Sequence, residues 1–87
     1  MSWENEKYTV DEMRIGKKCI ATIEFCPTEP SEYKWCCRVY QVNDIDCTKG
    51  QGHYYRSYNE CAAYRDGLIG RTKNVAIVQL FDKDDFE

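Results

Sequence analysis

The segment Gly52-His53-Tyr54-Tyr55-Arg56-Ser57-Tyr58-Asn59-Glu60-Cys61-Ala62-Ala63-Tyr64-Arg65-Asp66-Gly67 constrains the fold more than any other part of the chain. It reads as a short aromatic strand, His53–Arg56, running directly into a helix from Tyr58 to about Asp66. Ser57 with Glu60 three residues later makes a capping box, in which each side chain satisfies an amide left unpaired at the helix start. Asp66-Gly67 supplies the expected stop, because glycine takes the left-handed conformation that follows a last helical turn. On a helical wheel Tyr58, Cys61, Ala62 and Arg65 share one side, with Tyr64 beside them. Arg65 in that stripe is expected to lay its stem over apolar surface and send its charged head to solvent.

Two further strands precede this unit. Cys19–Cys26 alternates, with Cys19, Ala21, Ile23 and Phe25 on one face and Thr22 and Glu24 on the other. Pro27 and Pro30 end it, since proline cannot donate to a strand ladder. Tyr33–Val42 is the second, with Trp35, Cys37 and Val39 toward the core and Lys34, Arg38 and Tyr40 opposite. The short connection predicts an antiparallel hairpin. Asn43–Gly52 reads as a polar loop. Asn74–Phe81 is the most apolar run, with both faces hydrophobic, as in a central strand covered on both sides or a strand at a partner interface. Residues 1–16 have no clean period and read as an arm or a short helix, with Thr9 and Glu12 as a second capping box. Residues 82–87 read as an acidic tail that Phe86 anchors.

The resulting order is β-β-β-α-β. A chain of 87 residues with no repeats predicts a single α+β domain. The expected sheet has three to four strands, mixed but largely antiparallel, with the helix on one face. The helical crossover places the last strand parallel to one that is not its neighbour.

The net charge of −3 is uneven: residues 49–73 carry +3, from Lys49, Arg56, Arg65, Arg71 and Lys73 against Glu60 and Asp66. A modestly acidic chain is unlike a general nucleic-acid binder, although this segment offers a local anion site. No apolar run is long enough to span a membrane. The start, Met1–Lys7, lacks the features of a secretory signal. The expectation is therefore cytoplasmic, in the host cell if the protein is virus-encoded, with Cys19, Cys26, Cys36, Cys37, Cys47 and Cys61 reduced and mostly buried.

Catalytic and metal chemistry finds little footing. No closely spaced cysteine pair such as C-x-x-C is present, and adjacent Cys36 and Cys37 point to opposite faces of a strand. His53 is the only histidine available to pair with a thiol. The carboxylates of Asp44, Asp46, Asp82, Asp84 and Asp85 are expected in solvent, where they keep ordinary acidity. No catalytic residue, metal or cofactor is assigned.

Two binding readings remain. In the first, Tyr and Arg side chains on a sheet face engage a protein partner, which the protein occupies or masks; a homodimer through the apolar C-terminal strand belongs with it. In the alternative, the basic, tyrosine-rich segment 49–73 binds a nucleotide, another phosphate-bearing ligand or single-stranded nucleic acid. Helix starts attract phosphate and exposed rings stack on bases, yet the phosphate-loop pattern G-x-x-x-x-G-K-[ST] is absent. The candidate binding residues for the two readings are Lys49, His53, Tyr54, Tyr55, Arg56, Tyr58 and Arg71, with Arg38 and Tyr40 on the second strand. In size, tyrosine content and lack of a catalytic motif, the chain resembles the short α+β proteins that phages use to inhibit host factors. That resemblance implies an inhibitor and transfers no residue.

Overall fold

A computed structural model describes residues 7–42, 45–46, 52–70 and 74–86. In chain order the elements are β1 (Tyr8–Ile15), β2 (Lys18–Phe25), β3 (Trp35–Val39), β4 (Gln41–Val42), β5 (Ile45–Asp46), β6 (Gly52–Tyr55), α1 (Tyr58–Ile69) and β7 (Val75–Gln79). A single 3₁₀ turn, Lys83–Asp85, follows. The main sheet has five strands in the order β6-β3-β2-β1-β7, and every neighbouring pair is antiparallel. β4 and β5 form a separate two-stranded ribbon. The architecture is α+β with one helix, as expected, but the sheet is fully antiparallel rather than mixed and has more strands than the sequence suggested.

The added strand is β1, where an arm or helical turn was expected. Its alternation is obscured by a bulge, since the register with β2 shifts between Thr9 and Asp11. Val10 and Asp11, consecutive in sequence, are consequently both buried. A two-residue turn at Gly16-Lys17 joins β1 to β2. Gly16 has φ of 61°, a conformation that glycine adopts without steric cost and that tight hairpins require.

The face beneath α1 is built from cross-strand rows. One runs Asp11, Ile23, Cys37, His53, and the next runs Met13, Ala21, Val39. Met13, Ala21, Ile23, Trp35, Cys37 and Val39 pack with Cys61 and Ile69 of α1 in one core. This agrees with the alternation read for β2 and β3. The helix lies over β6, β3 and β2.

The capping box forms: the Glu60 N–H donates to Ser57 Oγ at 3.3 Å, and Glu60 Oε2 accepts from the Arg56 N–H at 2.9 Å. The helix runs one turn past the expected stop. Gly67 lies within it, and Gly70, at φ of 62°, ends it by donating its N–H to Asp66 O at 2.9 Å. Tertiary burial of Ile69, 4 % exposed, accounts for the extra turn.

Arg65 departs from the expectation of a solvent-directed head. It is 3 % exposed, and its Nη1 lies 3.2 Å from Oδ1 of Asp11, itself 1 % exposed on β1. The Tyr58 hydroxyl donates to the other oxygen of the same carboxylate. The Arg65 Nε donates to Asp66 Oδ1 at 3.1 Å. A buried charge needs a charged, hydrogen-bonded partner, so these four side chains tie α1 to the sheet as one unit.

β7 also departs from expectation. It pairs with β1 alone and forms one edge of the sheet, with no strand on its outer side among the described residues. It runs parallel to the distant β6, since each is antiparallel to a strand of like direction, in line with the expected crossover. Ile77, Val78, Leu80 and Phe81 are 52 %, 40 %, 49 % and 43 % exposed, so this run is not covered on both sides. Beyond it the tail folds back. The Phe86 ring packs at 4.8 Å on Phe25, 5.5 Å on Tyr8 and 5.8 Å on Phe81, and it anchors the tail.

Candidate functional site

Strand alternation divides the residues that the sequence placed together. His53 and Tyr55 turn toward α1, where their rings pack on Tyr64 at 4.6 and 5.7 Å. Tyr58 lies edge-on to Trp35 at 5.8 Å and spends its hydroxyl on Asp11. Burial, followed by the bond to the Asp11 carboxylate, pushes the Tyr58 phenol up to about 12. These three residues support the core and do not form a surface with the others. Tyr40 stands past the opposite end of β3, with its N–H bonded to Ile20 O at 2.7 Å. Lys49 and Arg71 lie outside the described residues.

Tyr54, Arg56 and Arg38 remain, and they gather around the β6 edge. Tyr54 pairs with Cys36 across β3 and β6, on the face away from α1. It is 43 % exposed, while its cross-strand neighbour Cys36 is fully buried. Arg38 lies one pair further along, against Gly52. A Cβ at Gly52 would come 3.0 Å from the Cys36 sulfur and 3.2 Å from the Arg38 guanidinium carbon, so the bare backbone there leaves room for both side chains. The Arg38 Nε meets Glu24 at 3.2 Å, and Lys7 approaches the same buried carboxylate at 3.6 Å.

Arg56 follows directly after β6. Its guanidinium sits over the Tyr33 ring, 5.2 Å from the centroid, donates to the Tyr33 hydroxyl at 3.2 Å, and contacts Glu32 at 2.6 Å. The Tyr33 hydroxyl and then the Glu32 charge raise its affinity for the proton. The sequence reading places Tyr33 at the start of the second strand, whereas it stands two residues before β3 begins. Its place under Arg56 was not legible, because the contact joins residues 23 positions apart.

The patch formed by Tyr33, Tyr54 and Arg56 thus presents two exposed rings and a guanidinium whose charge is balanced in place by Glu32. Tyr and Arg are residue types that contribute most of the binding energy where protein surfaces meet. At the start of α1, Arg56 is engaged by Glu32, and the Glu60 carboxylate accepts from the Arg56 N–H. Among the described residues, no three His, Cys, Asp or Glu side chains group as metal ligands would.

The thiols are inward. Cys26, Cys36, Cys37 and Cys61 are buried and Cys19 half-buried, all five as free cysteines; Cys47 lies outside the described residues. Burial pushes Cys26 up to about 11 and Cys37 to about 12, so both are protonated at neutral pH and are poor nucleophiles. Among the described residues, no helix is long and apolar enough to cross a membrane. No protein-family model matches the chain, and neither curated proteins nor solved structures provide a match.

Proposed function

We propose that this protein acts as a small binding protein that occupies or masks a surface of a protein partner, with the Tyr33–Tyr54–Arg56 patch at the β6 edge as its contact face. The observation that carries this reading is the preorganised Arg56. Its guanidinium is stacked on Tyr33 and clamped by Glu32, so little side-chain entropy is lost when a partner covers it. Tyr54, two residues away on the edge strand, adds a second exposed ring. Inhibition of a host factor in the cytoplasm, as the phage-protein resemblance implies, is one form that such masking takes. It requires no reacting group on this chain.

The test compares proteins retained from source-cell extract by the wild-type chain and by a Tyr54→Ala/Arg56→Ala variant. Each substitution at a binding hot spot costs about 2 kcal/mol, so the double variant loses the partner almost completely. Retention of an unchanged set of proteins by the variant would end this reading. The phosphate alternative separates in the same experiment, because nuclease treatment and free nucleotide release a nucleic-acid ligand and leave a protein partner bound.

A further inference from the structure

We infer that Lys34 is a positioning residue for the Tyr33–Tyr54–Arg56 face. Its ammonium closes the loop that joins β2 to β3, and the closed loop carries Glu32 and Tyr33 to Arg56. This deepens the proposed function: the role in binding rests on that reading, whereas the role in shaping the loop rests on the geometry alone.

The loop sequence creates the need for such a residue. Residues 26–34 connect the two strands, and Pro27 and Pro30 bring no N–H to that path. Where the arms part, the Cys26 N–H donates to Lys34 O at 2.8 Å. The Glu29 N–H donates to Cys26 O at 3.2 Å, which makes a turn with Pro27 at its favoured second position. On the return arm the backbone bonds are local: the Tyr33 N–H donates to Ser31 Oγ and the Lys34 N–H to Glu32 O, each at 3.1 Å. The Lys34 side chain joins one arm to the other. Its Nζ donates to Pro27 O at 3.3 Å and to Glu29 O. An ammonium carries three donors, so one lysine serves both carbonyls. Bonds from a charged donor are also about twice as strong as neutral ones.

The consequence falls on Arg56. Its guanidinium meets the Tyr33 ring, the Tyr33 hydroxyl and the Glu32 carboxylate, and these two residues immediately precede Lys34 in the chain. Arg56 itself follows β6, which is held against β3 by the pairs from Trp35 with Tyr55 to Arg38 with Gly52. The sheet therefore fixes one side of each contact and the return arm of the loop fixes the other. The Arg56 and Glu32 side chains are 59 % and 62 % exposed, and an ion pair so open to water contributes little by itself. The pair does not hold the loop in place; the loop holds the pair.

The experiment is NMR spectroscopy of the full-length wild type and of Lys34→Met, which keeps an unbranched stem and removes the charge and the donors. In the wild type, the Lys34 ammonium is expected to give a resolved, slowly exchanging signal, unlike those of exposed Lys17 and Lys18. In Lys34→Met, the Glu29 amide is expected to exchange with solvent roughly tenfold faster or more, the factor that one bond from a charged donor represents. The Arg56 side-chain protons are expected to lose the upfield shift that the Tyr33 ring imposes. Far-UV circular dichroism checks that the sheet and helix stay formed. A Lys34 ammonium that exchanges as fast as that of Lys17, or an Arg56 shift unchanged in Lys34→Met, would overturn the inference. Capture from source-cell extract separates it from the proposed function. A variant that loses the Arg56 shift yet retains the same proteins leaves Lys34 as a positioning residue and ends the contact-face reading instead.

Discussion

Asp11 on β1 and Arg65 on α1 form a buried ion pair at 3.2 Å, between residues 54 positions apart. Burial alone would weaken the hold of Arg65 on its proton, but Asp11 and then Asp66 raise it above the ordinary guanidinium value. The pair, with Tyr58, fixes where the helix meets the sheet. Removing one partner leaves an uncompensated buried charge, so Asp11→Ala or Arg65→Ala is expected to cost about 3–5 kcal/mol. The double replacement Asp11→Ala/Arg65→Ala is expected to cost much less than the sum of the single changes. Urea denaturation of the four proteins measures this, and additive costs would show that the two residues are not coupled.

Phe86 holds the tail on the sheet through Tyr8, Phe25, Trp35 and Phe81. Because its ring is only half-buried, Phe86→Ala is expected to cost about 1–3 kcal/mol, below the range for a fully enclosed phenylalanine. The fluorescence of Trp35, 6.2 Å from Phe86, reports the change directly. An unchanged unfolding midpoint would mean that the tail contributes no stability.

The start of α1 depends on Ser57. Ser57→Ala is expected to destabilise by about 1 kcal/mol, with Ser57→Asp close to wild type because a carboxylate also accepts from the first-turn amides. Thermal melts of the three proteins check the order. Equal melting for the alanine variant would assign the helix start to Glu60 alone.

Alkaline pH is expected to unfold the protein early. Burial raises Cys26 to about 11 and Cys37 to about 12 from an ordinary value of 9.0, and Tyr58 to about 12 from 10.0. Between the two values of each group, the unfolded chain has lost a proton that the folded chain keeps. Stability is therefore full below about 9 and falls as pH rises toward about 12. Urea midpoints measured in steps across that window check the sign. Replacing Cys37 with Val is expected to flatten the slope, and a midpoint constant across the window would contradict the assignment.

Part of the candidate site was legible in the sequence. Tyr54, Arg56 and Arg38 carry suitable chemistry, but the sequence reading groups Tyr54 with Tyr55, which the strand turns to the opposite face. The seating of Arg56 on Tyr33 was not legible, because it depends on where the loop after β2 returns. The same limit applies to β1. The register shift at Val10 breaks its period, and its central Asp11 reads as a surface residue until Arg65 arrives from the far side of the fold.

Local physics in the sequence alone determined the capped helix, the inward faces of β2 and β3, and the apolar character of Val75–Phe81, because each depends on residues within a few positions of one another. Tertiary structure decided which strands are neighbours. An apolar strand has the same local pattern at the centre of a sheet as at its edge. Only the order β6-β3-β2-β1-β7 leaves Ile77 in solvent and gives Arg65 a carboxylate to face.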